Sequence, residues 1–219
     1  MEKTWLKQYP QGVPANIDVE QYPSLVALLD ASFAKFAALP AYRFMGKAFT
    51  FAQIDEASRA LAAYLQSLGL AKGDRVAIMM PNVPQYPVAV AAILRAGYVV
   101  VNVNPLYTPR ELEHQLKDSG AQAILIVENF AHVLQKVLAA VPTRHVIVTA
   151  LGDMLGFPKR LIVNYVVRNV KKMVPEFDVP GAVEFNVALA RGATKAFTAA
   201  SVGLDDIAVL QYTGGTTGV

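Results

Sequence analysis

Between residues 69 and 149, short unbroken apolar runs alternate with stretches whose apolar residues recur every three or four positions. A run such as Val76-Ala77-Ile78-Met79-Met80 has no polar side. A strand made from it must therefore be covered on both faces. Strands are predicted over 75–80, 98–103, 121–127 and 145–149, with helices over 86–96 and 130–140 and from 108 onward. This rhythm predicts an α/β fold: a mostly parallel sheet with helices on both faces.

The helix boundaries carry their own chemistry. Thr50 and Gln53 have the spacing of a capping box, in which each side chain bonds the other's backbone N–H. The following Ile54, Ala57, Leu61, Leu65 and Leu68 step by three and four along one face, and Gly69 closes the helix. Thr108-Pro109-Arg110-Glu111 combines a threonine cap, proline at the first helical position and glutamate at the third. Ser24 caps a helix predicted over 24–39 and stopped by Pro40; 41–44 and 47–51 form a hairpin about Met45-Gly46.

Four segments follow. Residues 1–23 are an irregular arm interrupted by Pro10, Pro14 and Pro23, and 24–150 are the alternating core. Residues 151–206 hold a basic helix over 159–174 and a looser connection around Pro180-Gly181 and Gly192. Residues 207–219 are a strand followed by a phosphate loop cut short. No linker divides the chain into independent domains.

Composition narrows the function classes. With 219 residues, 54% hydrophobic and 17% charged, the chain can bury a sizeable core. Its net charge of +3 comes without an arginine-rich arm or zinc-finger spacing, so nucleic acid is not an expected partner. Cysteine is absent, which excludes disulfides and thiolate chemistry and fits a reducing cytoplasm. The N-terminus lacks a secretory core, and no apolar stretch is long enough to span a bilayer. The expected location is cytoplasmic, at most peripheral on a membrane.

The last residues, Thr213-Gly214-Gly215-Thr216-Thr217-Gly218, follow the apolar run Ile207-Ala208-Val209-Leu210. Small residues let backbone N–H groups approach phosphate oxygens, and the threonine hydroxyls add donors. The pattern is neither a Walker A loop, for which no Lys-Ser/Thr follows, nor a GxGxxG dinucleotide loop. On pattern alone it reads as a phosphate cradle or as an ordinary turn. Because the sequence stops within it, the chain is expected to be the front piece of something longer.

Tyr212 to Gly218 resembles the phosphate loop of the adenylate-forming superfamily, which includes acyl- and aryl-CoA synthetases, luciferases and peptide-synthetase adenylation domains. Gly69-Leu70-Ala71-Lys72-Gly73-Asp74-Arg75-Val76-Ala77-Ile78 with Pro81-Asn82, and Leu94-Arg95-Ala96-Gly97-Tyr98 through Asn104-Pro105, are similar to early segments of that family. Leu106-Tyr107-Thr108-Pro109-Arg110-Glu111-Leu112-Glu113-His114-Gln115-Leu116 resembles the bacterial long-chain fatty-acid–CoA ligases more specifically. The resemblance runs from Trp5 to Val219.

It implies part of a large N-terminal adenylation domain and a two-step reaction with ATP, Mg²⁺ and coenzyme A. A fatty-acid carboxylate would attack the α-phosphate, and the thiol of CoA would then displace AMP. Thr213, Gly214, Gly215, Thr216, Thr217 and Gly218 would hold the ATP phosphates, and Thr213 would help place Mg²⁺. The lysine that usually follows the loop, and the later motifs, are not in this sequence, so the 219 residues alone are expected to be inactive. Dimerisation is a further expectation from the resemblance. The alternatives are another acyl- or aryl-acid–CoA ligase, or a non-catalytic module that binds a membrane or a partner.

Three other features have two readings each. In the 159–174 helix, Arg160, Asn164, Arg168, Lys171 and Lys172 share about a third of the wheel, with no acid between Asp153 and Glu176. This helix could lie on an anionic membrane, or pack its apolar side on the domain or on parts beyond this sequence. His114 and Asp118, four apart, form a contact pair that is structural or catalytic; His114, His132 and His145 lack metal-ligand spacing. Asn82, Asn102 and Asn104 stand at strand ends, where ligands bind in open sheets, but asparagine caps turns equally well.

Overall fold

The structure, a computed structural model, describes residues 3–213. The arm is irregular apart from a 3₁₀ segment at Thr4–Gln8. Ser24 accepts the Ala27 N–H at 3.1 Å and opens α1 (Leu25–Lys35). The helix stops before the predicted residue 39 because the chain already turns at Phe36, whose carbonyl accepts the Leu39 N–H at 2.8 Å. The hairpin follows as β1 (Pro40–Phe44) and β2 (Lys47–Thr50). Met45 and Gly46 both take positive φ, 46° and 75°, the primed turn whose twist suits two tightly joined strands.

Both predicted capping boxes form. Thr50 and Gln53 bond reciprocally at the start of α2 (Phe51–Gln66). Thr108 and Glu111 do the same at α4 (Pro109–Ser119), with Pro109 in the first turn. The Thr108 hydroxyl and N–H hold the Glu111 carboxyl below its ordinary pKa.

The predicted alternation appears as β3 (Arg75–Met79), α3 (Gln85–Arg95), β4 (Val99–Asn102), α4 and β5 (Ala123–Val127). It continues with α5 (Ala131–Gln135), β6 (His145–Thr149) and α6 (Lys159–Tyr165). The chain then forms β7 (Val183–Glu184), α7 (Phe185–Ala193) and β8 (Val209–Gln211). The larger sheet has six strands in the order β7-β6-β5-β3-β4-β8, every pair parallel.

Alternate residues of each strand feed two cores. Val76, Ile78, Val100, Leu125 and Ile147 pack with residues of α1, α2, α3 and α7 on one face. Ala77, Met79, Val101, Ile124 and Ile126 pack with α4 and α5 on the other. All five residues of β5 are buried, as the unbroken apolar run requires.

Three expectations change. The predicted 130–140 helix is short pieces, with 3₁₀ turns at Glu128–Phe130 and Leu138–Ala140 around α5. The looser stretch around Pro180-Gly181 and Gly192 holds a short strand and a regular helix, α7. Gly192 lies inside that helix because α7 and α2 touch backbone to backbone. A Cβ at Gly192 would stand 1.8 Å from the Ala60 carbonyl oxygen. The 159–174 helix is shorter too: α6 passes into a π-helical turn at Val166–Val170, and Lys172 takes φ 51°.

The glycine contact yields a stability prediction. Gly192→Ala must push α7 off α2, an overpacking cost of about 3 kcal/mol or more. Urea unfolding should show a lowered midpoint; a midpoint within error of the parent would contradict so close an approach.

Candidate functional site: the C-terminal edge of the sheet

All six strands run parallel, so their carboxyl ends share one edge, the usual place for ligands in an open α/β sheet. β8 ends at that edge, two residues before Thr213. Its register with β4 pairs Val100 with Val209 and Asn102 with Gln211. Thr213 is exposed at the strand's exit. Gly214, Gly215, Thr216, Thr217 and Gly218, the remaining predicted site residues, lie outside the described residues.

Beside this exit is a cleft of about 270 Å³, bordered by Met80, Asn82, Tyr86, Asn104, Tyr107 and Tyr212. The strand-end asparagines divide by role. Asn104 accepts the Leu106 N–H at 3.0 Å, a local turn contact. Asn102 instead bridges elements. Tyr86 donates to its Oδ1 at 2.9 Å, and its Nδ2 donates to Gln211 Oε1 at 2.8 Å. The buried Gln115 of α4 donates to its backbone carbonyl at 2.7 Å. A larger cleft of about 510 Å³ opens at the opposite end of the strands, near Gly97 and Asp206. It is remote from the exit of β8.

On the other face of β8, the Tyr212 hydroxyl donates to the Asp118 carboxylate of α4. Asp118 thus meets a tyrosine 94 positions away, a partner that sequence spacing does not reveal. The pKa of Tyr212 is pushed up to about 12: burial disfavours the phenolate first, and the hydrogen bond to Asp118 and its negative charge add to this. Among the described residues no group of three or more His, Asp or Glu could hold a metal ion.

In the 159–174 segment two polar residues, Asn164 and Arg168, reach inward, while Arg160, Lys171 and Lys172 are exposed. Arg168 forms a two-pronged ion pair with the buried Glu128, at 2.6 to 3.0 Å. Asn164 accepts the Gly152 N–H and donates to Asp153. Phe157, Leu161, Ile162, Tyr165, Val170 and Met173 are each more than half exposed. Val163 and Val167 pack inward. Among the described residues the apolar side therefore packs through Val163 and Val167, and most of it is open to solvent or to sequence beyond these 219 residues. Among the described residues no helix is long and apolar enough to cross a membrane.

The model of the AMP-binding enzyme family matches residues 29–219. The chain belongs to that family. It is 54% identical over 220 residues to the long-chain-fatty-acid–CoA ligase of Salmonella typhimurium, covering 100% of this chain and 39% of that protein. It is 36% identical over 219 residues to the long-chain-fatty-acid–CoA ligase of Bacillus subtilis, covering 99% of this chain and again 39% of the relative. The chain thus spans well under half the length of these curated relatives. Among solved structures, the long-chain-fatty-acid–CoA ligase of Archaeoglobus fulgidus superposes with a TM-score of 0.67 at 24% identity, covering 96% of this chain and 38% of that one. That likeness bears on the fold, and it bears out the α/β expectation. The family match bears out the resemblance read from 106–116 and from the terminal loop.

The Tyr212 geometry is open to titration. Its raised pKa means that the folded chain keeps a proton the unfolded chain loses above about pH 10. The stability this proton brings is complete below that pH and is lost as pH rises toward 12. Asp118→Asn removes the charge but keeps an acceptor. Phenolate absorbance should then show the Tyr212 transition, identified by its absence in Tyr212→Phe, moving down toward 10. An unmoved transition would mean the carboxylate has no part in it.

Proposed function

We propose that the chain is the N-terminal part of an ATP-dependent long-chain fatty-acid–CoA ligase. The observation that carries this is the 54% identity to such a ligase across the whole chain, together with a phosphate-loop sequence leaving the carboxyl end of a parallel strand. In the proposed reaction, a fatty-acid carboxylate oxygen attacks the α-phosphorus of ATP and pyrophosphate leaves. The sulfur of CoA then attacks the acyl carbonyl of the adenylate, AMP departs with the bonding pair, and the thiol proton is released. Charge builds on the departing pyrophosphate. N–H donors and hydroxyls of Thr213–Gly218 would meet that charge.

The hydroxyl of Thr213, exposed at the strand's exit, fits a role beside the phosphates. Mg²⁺ there would neutralise phosphate charge. Magnesium and a homodimer both rest on the resemblance alone. Because the chain spans 39% of its relatives' length, the remaining machinery is proposed to lie in sequence beyond these 219 residues.

Acid-dependent ATP–pyrophosphate exchange tests the reading. With the complete reading frame, exchange should depend on added acid and be fastest with long acyl chains, while residues 1–219 alone should show none. Fastest exchange with aryl acids would move the protein to another branch of the same chemistry. No exchange with any acid would overturn the ligase reading.

A second property is favoured by the outward apolar side chains of 157–173, which are flanked by Lys159, Arg160, Lys171 and Lys172. This combination suits contact with an anionic membrane, where each nearby cation contributes about 1 kcal/mol and the apolar side chains enter the interface. The chain should co-sediment with phosphatidylglycerol-containing vesicles at low salt. Lys171→Glu with Lys172→Glu should weaken this by about tenfold or more. Absence of binding at low salt would remove the membrane from the reading.

A further inference from the structure

The strand that presents the loop is weakly held by its own backbone. Among the described residues β8 is three residues long and pairs with β4 along one side. Its exit is held mainly by side chains, one set on each face. Toward α3, Gln211 closes the chain Tyr86–Asn102–Gln211. Toward α4, Tyr212 packs against the core and its hydroxyl reaches Asp118. Strand alternation puts neighbouring residues on opposite faces, so neither contact can substitute for the other.

Asp118 is badly placed for any purpose internal to its helix. It lies in the last turn of α4, where the helix dipole disfavours a carboxylate and aspartate is a weak helix former. A solvated surface acid would gain nothing from that position. A carboxylate that accepts a tyrosine hydroxyl forms a charge-assisted hydrogen bond, and here it joins α4 to the residue immediately before Thr213.

We propose that Asp118 is a positioning residue: by latching Tyr212 it fixes the direction in which Thr213 leaves β8. The claim about ATP rests on the ligase reading above; the claim about the strand does not. Asp118 touches no substrate in this account and acts through Tyr212.

Two readouts separate the claims. In the chain itself, Asp118→Ala should make the backbone amides of Val209–Gln211 exchange with solvent about tenfold faster, while Asp118→Asn, which keeps an acceptor, stays near the parent. In the complete protein, Asp118→Ala should raise KM for ATP by about fivefold to tenfold with KM for the fatty acid unchanged. Combining it with Tyr212→Phe should add nothing beyond the larger single effect.

Unchanged amide exchange in Asp118→Ala, or additive effects of the two substitutions, overturns the latch. So does an equal rise in both KM values, which marks a general loss of structure. Faster exchange in Asp118→Ala, in a protein whose parent shows no ATP–pyrophosphate exchange, supports the latch and counts against the ligase reading instead.

Discussion

The guanidinium of Arg95 holds one whole face of the molecule together. It sits at the end of α3, with its side chain almost wholly out of solvent. Its Nε donates to Asp30 of α1 at 3.1 Å, and one terminal nitrogen donates to the Asp55 carbonyl of α2 at 3.2 Å. The Ser58 hydroxyl and the carboxylates of Asp30 and Asp55 complete the shell. Its carbon stands 4.9 Å from the centre of the Phe33 ring. A buried cation is costly to desolvate unless charge and hydrogen bonds both compensate, and here two helices, α1 and α2, supply them. Lysine has the charge but not the planar fork that serves several acceptors at once.

That hub fixes the layer on which the first two strands of the parallel sheet rest, and the site depends on it at one remove. Tyr86 is on the same helix as Arg95, at the end nearer the carboxyl edge of the sheet, where it meets Asn102. A shift of α3 would therefore move both ends of the arrangement: the ion-paired end against α1 and α2, and the tyrosine that orients Asn102 and through it Gln211. The opposite face is anchored separately, through α4 and the buried amide of Gln115. The exit of β8 is thus referred to two layers on opposite faces of the sheet.

What could be read from the sequence was what is decided locally. Both capping boxes, the Met45-Gly46 turn and the four core strands depend on residues within a few positions of one another, and each appears where its chemistry put it. The misses have distant causes. Gly192 reads as a breaker until Ala60 stands against it. Asp118 pairs by spacing with His114, whereas its partner is Tyr212. The 130–140 segment forms α5 between two 3₁₀ turns, a division its apolar pattern alone did not reveal. Thr213 is placed at the expected edge; the glycines after it were legible as a motif but lie outside the described residues.

The orientation of the 159–174 segment shows why an amphipathic pattern does not choose its own inward side. Glu128 ends the buried β5 run with its side chain 4% exposed. Left unpaired, such a carboxylate costs about 3–5 kcal/mol, comparable to leaving several apolar side chains half in water at about 1 kcal/mol each. Arg168 removes that cost, and its pKa is raised by that hydrogen bond and by nearby acids despite partial burial. Asn164, one turn earlier on the same side, is drawn in by Asp153 and Gly152. With these two polar contacts made, helical geometry turns Leu161, Ile162 and Tyr165 outward. The exposed apolar surface is then a consequence of one buried acid, and the basic residues beside it determine which kind of surface it can meet.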